Sequence, residues 1–127
     1  MPEFEILSGY RMVSSIDDIE TVVSTTTGLA LRFAPDDLFV IGDTRPIASD
    51  PYAIVEQEAG FVGMSFTLDA FAAHVVGHID WAIPVERPAL AQGLVAGVPA
   101  KIWLTEDGAL LITNGAYADE LGARIHE

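Results

Sequence analysis

The dipeptide Asp107-Gly108 stands between two apolar runs, residues 101–105 and 109–113. Asp-Gly flanked by apolar residues is the strongest short-range signal for a β-hairpin. It commits this part of the chain to an antiparallel pair, with Gly108 expected at positive φ. Side chains alternate along a strand, so Ile102 and Leu104 should share one face and Trp103 the other. A sheet with one apolar face must bury it, and the chain carries amphipathic helical segments that can do so.

The first helix is signalled at Ser15. Ser15 and Asp18 have capping-box spacing, and Asp17, Asp18 and Glu20 put negative charge where the helix dipole favours it. Ile16, Ile19, Val22 and Val23 follow as an apolar stripe, and Thr25-Thr26-Thr27-Gly28 ends it. Before this helix, residues 4–7 and 10–13 read as short strands. After it, residues 29–33 and 38–41 read as strands around Pro35-Asp36-Asp37, and residues 42–51 as a surface loop. A second hairpin is expected over residues 52–66, with strands 53–55 and 61–66 and a turn at 56–60. Thr67 then caps a helix with Leu68, Phe71, Ala72, Val75 and Ile79 on one face. Pro84 and Pro88 make residues 80–91 irregular, and residues 93–98 read as a strand. Asn114-Gly115 caps a last helix, with Tyr117, Leu121 and Ile125 on one side and Arg124 in its last turn. Residues 4–41 and 61–113 each read as β-α-β-β. The expectation is one domain spanning residues 1–127, of α+β class, with an antiparallel sheet and helices on one side.

Composition narrows the functions. At 127 residues, 50% of them hydrophobic, the chain is large enough to bury a core without a metal or disulfide staple. Nineteen acidic residues against six basic ones give a net charge of −13, which repels nucleic-acid phosphates and anionic membrane surfaces. The absence of cysteine excludes disulfides, thiolate metal sites and a cysteine nucleophile. No apolar run approaches the roughly 18 residues of a membrane-spanning helix. Residues 1–5 carry neither a basic nor an apolar leader segment, so a cytoplasmic location is expected.

Candidate chemistry is sparse. His74 and His78 have the i, i+4 spacing of two metal ligands, but Val75 stands where a metalloprotease motif has glutamate. The pairs Asp17/Asp18, Asp36/Asp37, Glu56/Glu58 and Glu106/Asp107 each fall at a cap or turn, which accounts for them locally. Ser65 lacks a nucleophile elbow, and Gly93-Leu94-Val95-Ala96-Gly97 matches no phosphate-binding loop. No catalytic residue, metal site or cofactor is therefore expected. Trp81, an aromatic in a proline-rich connector expected to lie half-buried over the sheet, is the candidate contact with a partner.

Three segments carry a resemblance. Residues 31–42, Leu-Arg-Phe-Ala-Pro-Asp-Asp-Leu-Phe-Val-Ile-Gly, resemble a strand–Pro-Asp–strand segment of the gamma subunit of heterotetrameric sarcosine oxidase. Residues 91–104 are similar to that subunit's Gly/Gln, small-apolar, Val-Pro, strand segment, and residues 114–121 to its Ser-Tyr-Ala-Asp helix start. Together they span most of residues 29–125. The subunit in turn resembles the folate-binding aminomethyltransferase-like domains, whose element order also repeats β-α-β-β. In aminomethyltransferases a strand after a Gly-rich turn carries the acid that acts on folate. The matching positions here are Val98-Pro99-Ala100-Lys101, with no carboxylate. The resemblance thus implies an aminomethyltransferase-like fold without its own catalysis. The expected role is an accessory or assembly subunit that binds a protein partner or its own copies. The alternative is a folate-like small-molecule-binding protein without turnover; a small hydrolase using an acidic pair ranks behind both.

Overall fold

The computed structural model describes residues 3–126. Its seven strands pair antiparallel wherever a register is defined, and with three α-helices they make an α+β protein, as expected. The chain divides into two compact units. One is Leu7–Gly60; the other comprises the described residues up to Ile6 and those from Phe61 onward.

In the second of these units, strands β6 (Val98–Leu104) and β7 (Ala109–Asn114) form the expected hairpin, with Leu104 opposite Ala109 and Ile102 opposite Leu111. Ile102 and Leu104 are buried and Trp103 is half-buried, as alternation requires. The turn differs in its reason. Thr105 closes it: its N–H donates to the Gly108 carbonyl (2.9 Å), and its hydroxyl oxygen accepts from the Gly108 N–H (3.1 Å). The positive-φ glycines are Gly42 and Gly97, not Gly108. Glycine is needed at 108 because a Cβ there would stand 2.6 Å from the Phe66 carbonyl oxygen.

Strand β5 (Ala89–Val95) pairs with β6 through a two-residue turn, Ala96-Gly97, with φ of 51° and 79°. Two successive left-handed residues match the twist of a tight hairpin. The strand expected over 93–98 is therefore the end of β5, a turn and the first residue of β6, and the irregular stretch ends at Pro88. Strand β4 (Ile54–Phe66) lies on the other side of β7, from Phe61 opposite Asn114 to Phe66 opposite Ala109. Helices α2 (Leu68–His74) and α3 (Ala118–Ile125) place Phe71, Val75, Leu121 and Ile125 in one apolar cluster with Met64, Phe66, Ile102, Leu104 and Leu111. Both helices thus cover one face of this unit's strands.

Two helix expectations are corrected. The stripe from Leu68 to Ile79 is not one helix: α2 stops at His74, and Val76–His78 form a separate 3-10 turn. Two β-branched residues followed by Gly77 are poor helix formers and end it. Tyr117 lies in the 3-10 turn before α3 and is 41% exposed, while Leu121 and Ile125 are buried.

In the unit Leu7–Gly60, β1 (Glu5–Val13), β2 (Leu29–Ala34) and β3 (Asp37–Ile41) pair in the order β2-β3-β1. The two short strands expected over 4–13 are one, because Gly9 lets the backbone pass close to β3; a Cβ there would overlap the Val40 carbonyl. Helix α1 (Ile16–Thr25) is capped by Ser15, whose hydroxyl accepts from the Asp18 N–H, and packs Ile19 and Val22 against Met12, Leu38 and Val40. The second hairpin expected over 52–66 is overturned: its presumed turn, residues 56–60, is the middle of the thirteen-residue β4. Glu58 is one reason. It pairs with Arg11 of β1 (3.3 Å), so charge that reads as a solvated turn is instead used along an extended strand. No helix among the described residues is long and apolar enough to cross a membrane.

Candidate functional site

Pro99 shapes the most site-like feature. Proline has no N–H for a sheet ladder, and the β6–β7 pairing starts only at Lys101 opposite Ile112. The Pro99 carbonyl is satisfied instead by the hydroxyl of Thr113 (2.9 Å). Beyond this point the chain leaves β7 in the 3-10 turn Gly115–Tyr117, started by the Asn114 side chain accepting from the Ala116 N–H. The result is a cleft of about 330 Å³ on the face opposite the helices. Register explains its lining. Gln92, Lys101 and Ile112 stand side by side on β5, β6 and β7, and Gly63 opposite Ile112 on β4 adds no side chain. Two residues further along, Leu94, Pro99, Asn114 and Phe61 take the same face, and Tyr117 closes the end.

The cleft is chemically mixed. Ile112 is fully buried at its floor, Phe61 and Lys101 are half-buried, and Gln92, Asn114 and Tyr117 reach solvent. The Lys101 ammonium sits 6.0 Å from the centre of the Phe61 ring, within cation–π range. Lys101 is the single lysine of the chain. Among the described residues, no acidic side chain is in the lining of this cleft. Mostly apolar walls with a few converging polar groups are the usual make-up of a small-molecule site.

The chain matches no family model, no curated protein and no solved structure.

Trp81 is half-buried and held within its own chain. Its indole N–H donates to the Leu94 carbonyl on β5 (2.8 Å), and its ring lies on Gly93, where a Cβ would come within 2.5 Å of it. His74 is exposed at the end of α2 and His78 lies in the following 3-10 turn, so the two do not share a continuous helix. Among the described residues no group of three or more His, Asp or Glu side chains could hold a metal.

The paired carboxylates have structural partners or face solvent. Arg11 joins Asp37 (3.0 Å from Nε) and Glu58, with its guanidinium 5.0 Å from the centre of the Phe33 ring. Burial works against the charge of Arg11, but the two carboxylates outweigh it and hold its pKa above the ordinary value. Asp17, Asp36, Glu56, Glu106 and Asp107 are exposed, and Ser65 is exposed on β4.

Asp18 is the exception in kind. It is 5% exposed, and its carboxylate accepts from the Ser14 hydroxyl (2.7 Å) and from the backbone N–H groups of Ser49 (3.0 Å) and Asp50 (3.2 Å). The Ser49 and Ser14 hydrogen bonds outweigh its burial and keep its pKa below the usual carboxylate value. Sequence reasoning placed Asp18 in a capping box; the fold uses its carboxylate to tie down the loop after β3. That loop and the start of β4 leave Ile47, Tyr52 and Ile54 exposed by 87, 91 and 57%.

The cleft was missed because its residues are scattered over four strands and a turn. Two signals bore on it: a lone lysine in a very acidic chain, and a proline two residues before it in an apolar strand.

Proposed function

We propose that the protein is a non-catalytic accessory or assembly subunit, of aminomethyltransferase-like type and akin to the gamma subunit of sarcosine oxidase. The observation that carries the assembly role is the loop after β3. Asp18 fixes its backbone from within, while Ile47 and Tyr52 stand in solvent. Apolar side chains on a pre-ordered segment lose little further entropy on docking. The protein's net charge of −13 favours a partner with a basic patch. Trp81 has already committed its polar edge to Leu94, so we place the contact on Ile47 and Tyr52 in preference to it. The kinship rests on the segments quoted above, which fall on the β2–β3 hairpin, the β5–β6 hairpin and the start of α3. Light scattering at micromolar concentration, alone and with co-purifying proteins, tests the assembly role. A wild-type complex that Ile47→Glu or Tyr52→Ala dissociates, with unchanged far-ultraviolet circular dichroism, is expected. A monomer that binds no co-expressed protein would refute it.

A second reading, small-molecule binding without turnover, is favoured by the Lys101 cleft.

A further inference from the structure

We infer that the cleft between the end of α1 and the loop after β3 is a binding site for a small organic ammonium ion. It lies within the unit Leu7–Gly60 and holds about 340 Å³. Three observations converge. The floor is apolar: Val22 of α1 and Val40 of β3 are buried there, and Pro46 and Ile47 form a wall. Asp43 stands in the lining with no ion pair among the described residues. Thr25 and Thr26 bring the end of α1 to the cleft, and the last turn of that helix carries no basic residue to offset the negative end of its dipole. A ligand with its ammonium against Asp43 and its apolar body against Val22 and Val40 meets all three.

Arg45 lines the same cleft, and its partners decide the sign of the ligand. Its Nη2 donates to the Val55 carbonyl (2.8 Å), and its guanidinium lies 5.8 Å from the centre of the Tyr10 ring. It makes no ion pair with Asp43, so that carboxylate keeps its charge for a ligand. The net charge of −13 draws cations to the molecule as a whole. An ammonium donates three hydrogen bonds, and the hydroxyls of Thr27 and Thr44 in the lining can accept beside Asp43. At about 340 Å³ the cleft is near the lower end of small-molecule sites and suits one ring or a short chain bearing one amine. Binding here requires no partner protein and depends neither on the assembly role nor on the Lys101 cleft.

Backbone amide resonances of the intact, isotope-labelled protein test this at neutral pH and low salt. The probes are phenethylamine, the neutral 2-phenylethanol and the anionic 3-phenylpropanoate, each titrated to about 10 mM. Phenethylamine should move the amides of Thr27, Gly28, Gly42, Asp43 and Thr44 saturably. The alcohol should bind about fivefold more weakly, the difference that an exposed ion pair and a helix dipole together confer, and the anion more weakly still. Asp43→Asn should bring phenethylamine to within about twofold of the alcohol, because only the dipole then favours the charge. The comparison of the three probes on the wild type stands even if the variant misfolds. Equal affinity for amine and alcohol would overturn the assignment, as would tighter binding of the anion, which would give the site to Arg45. Shifts of the same size at Asp107 and Gly108 would mark attraction spread over the acidic surface and overturn the site. If no probe moves these amides the inference fails, while the assembly role, read by light scattering, is untouched.

Discussion

Gly93→Ala should destabilise the protein through Trp81, whose ring supplies the three atoms nearest to the added Cβ. The φ of Gly93 lies outside the left-handed region, so alanine strains no backbone there. Its Cβ, however, would stand 2.5 Å from Cε2 and Nε1 of the Trp81 indole and 2.9 Å from Cζ2. Carbon atoms pack at about 3.5–4.0 Å, so the indole must move by about 1 Å. The same indole donates to the carbonyl of Leu94, the next residue, at 2.8 Å. The movement that relieves the overlap therefore breaks that hydrogen bond. Overpacking costs about 1–3 kcal/mol, and loss of the hydrogen bond adds about 1 kcal/mol. Alanine restricts the unfolded chain more than glycine and returns about 0.4–1 kcal/mol. The net expectation is a loss of about 1–3 kcal/mol. In a Trp81→Ala background the overlap is gone, and Gly93→Ala should be neutral or slightly stabilising. Urea unfolding of the four proteins of this cycle gives the coupling, expected near 2 kcal/mol. The Trp81 indole proton should also lose its hydrogen-bonded chemical shift in Gly93→Ala alone. Equal costs of Gly93→Ala in both backgrounds would refute the packing of Trp81 on β5.

The remaining predictions concern a turn and a buried carboxylate. Gly108→Val should cost about 1–3 kcal/mol by forcing the turn away from the Phe66 carbonyl, as for other overpacked sites. Because the obstacle is a Cβ and not a φ, Gly108→Ala should cost nearly as much; a neutral Gly108→Ala in chemical denaturation would return the explanation to φ. Asp18 titrates below its ordinary value of 3.8 in the fold, so its contribution to stability is complete above that value and disappears as pH falls through the lowered one. Urea midpoints measured from neutral pH to about pH 3 should therefore fall more steeply for the wild type than for Asp18→Asn. Parallel curves would exclude Asp18 as an acid-sensitive anchor of the loop.

Local chemistry decided what could be read from the residues in order. Ser15 and Thr67 cap helices because their hydroxyls reach N–H groups three residues on. Alternation placed Ile102 and Leu104 inward because a strand permits nothing else. These interactions close over a few residues, so the α+β class and most of the strands were legible. Tertiary structure decided where those rules compete with a distant partner. Residues 56–60 carry the charge and glycine of a turn, yet they extend as strand with Glu58 against Arg11, 47 residues away. Gly108 looks like a backbone requirement and is a steric one imposed by Phe66, which precedes it by 42 positions. Asp18 looks like a capping residue, but its carboxylate is consumed by N–H groups 31 and 32 residues later. The cleft follows the same logic. Pro99 and Lys101 are visible in the sequence, but only strand register sets Gln92, Ile112 and Asn114 around them, and register is a property of paired strands, not of any one of them.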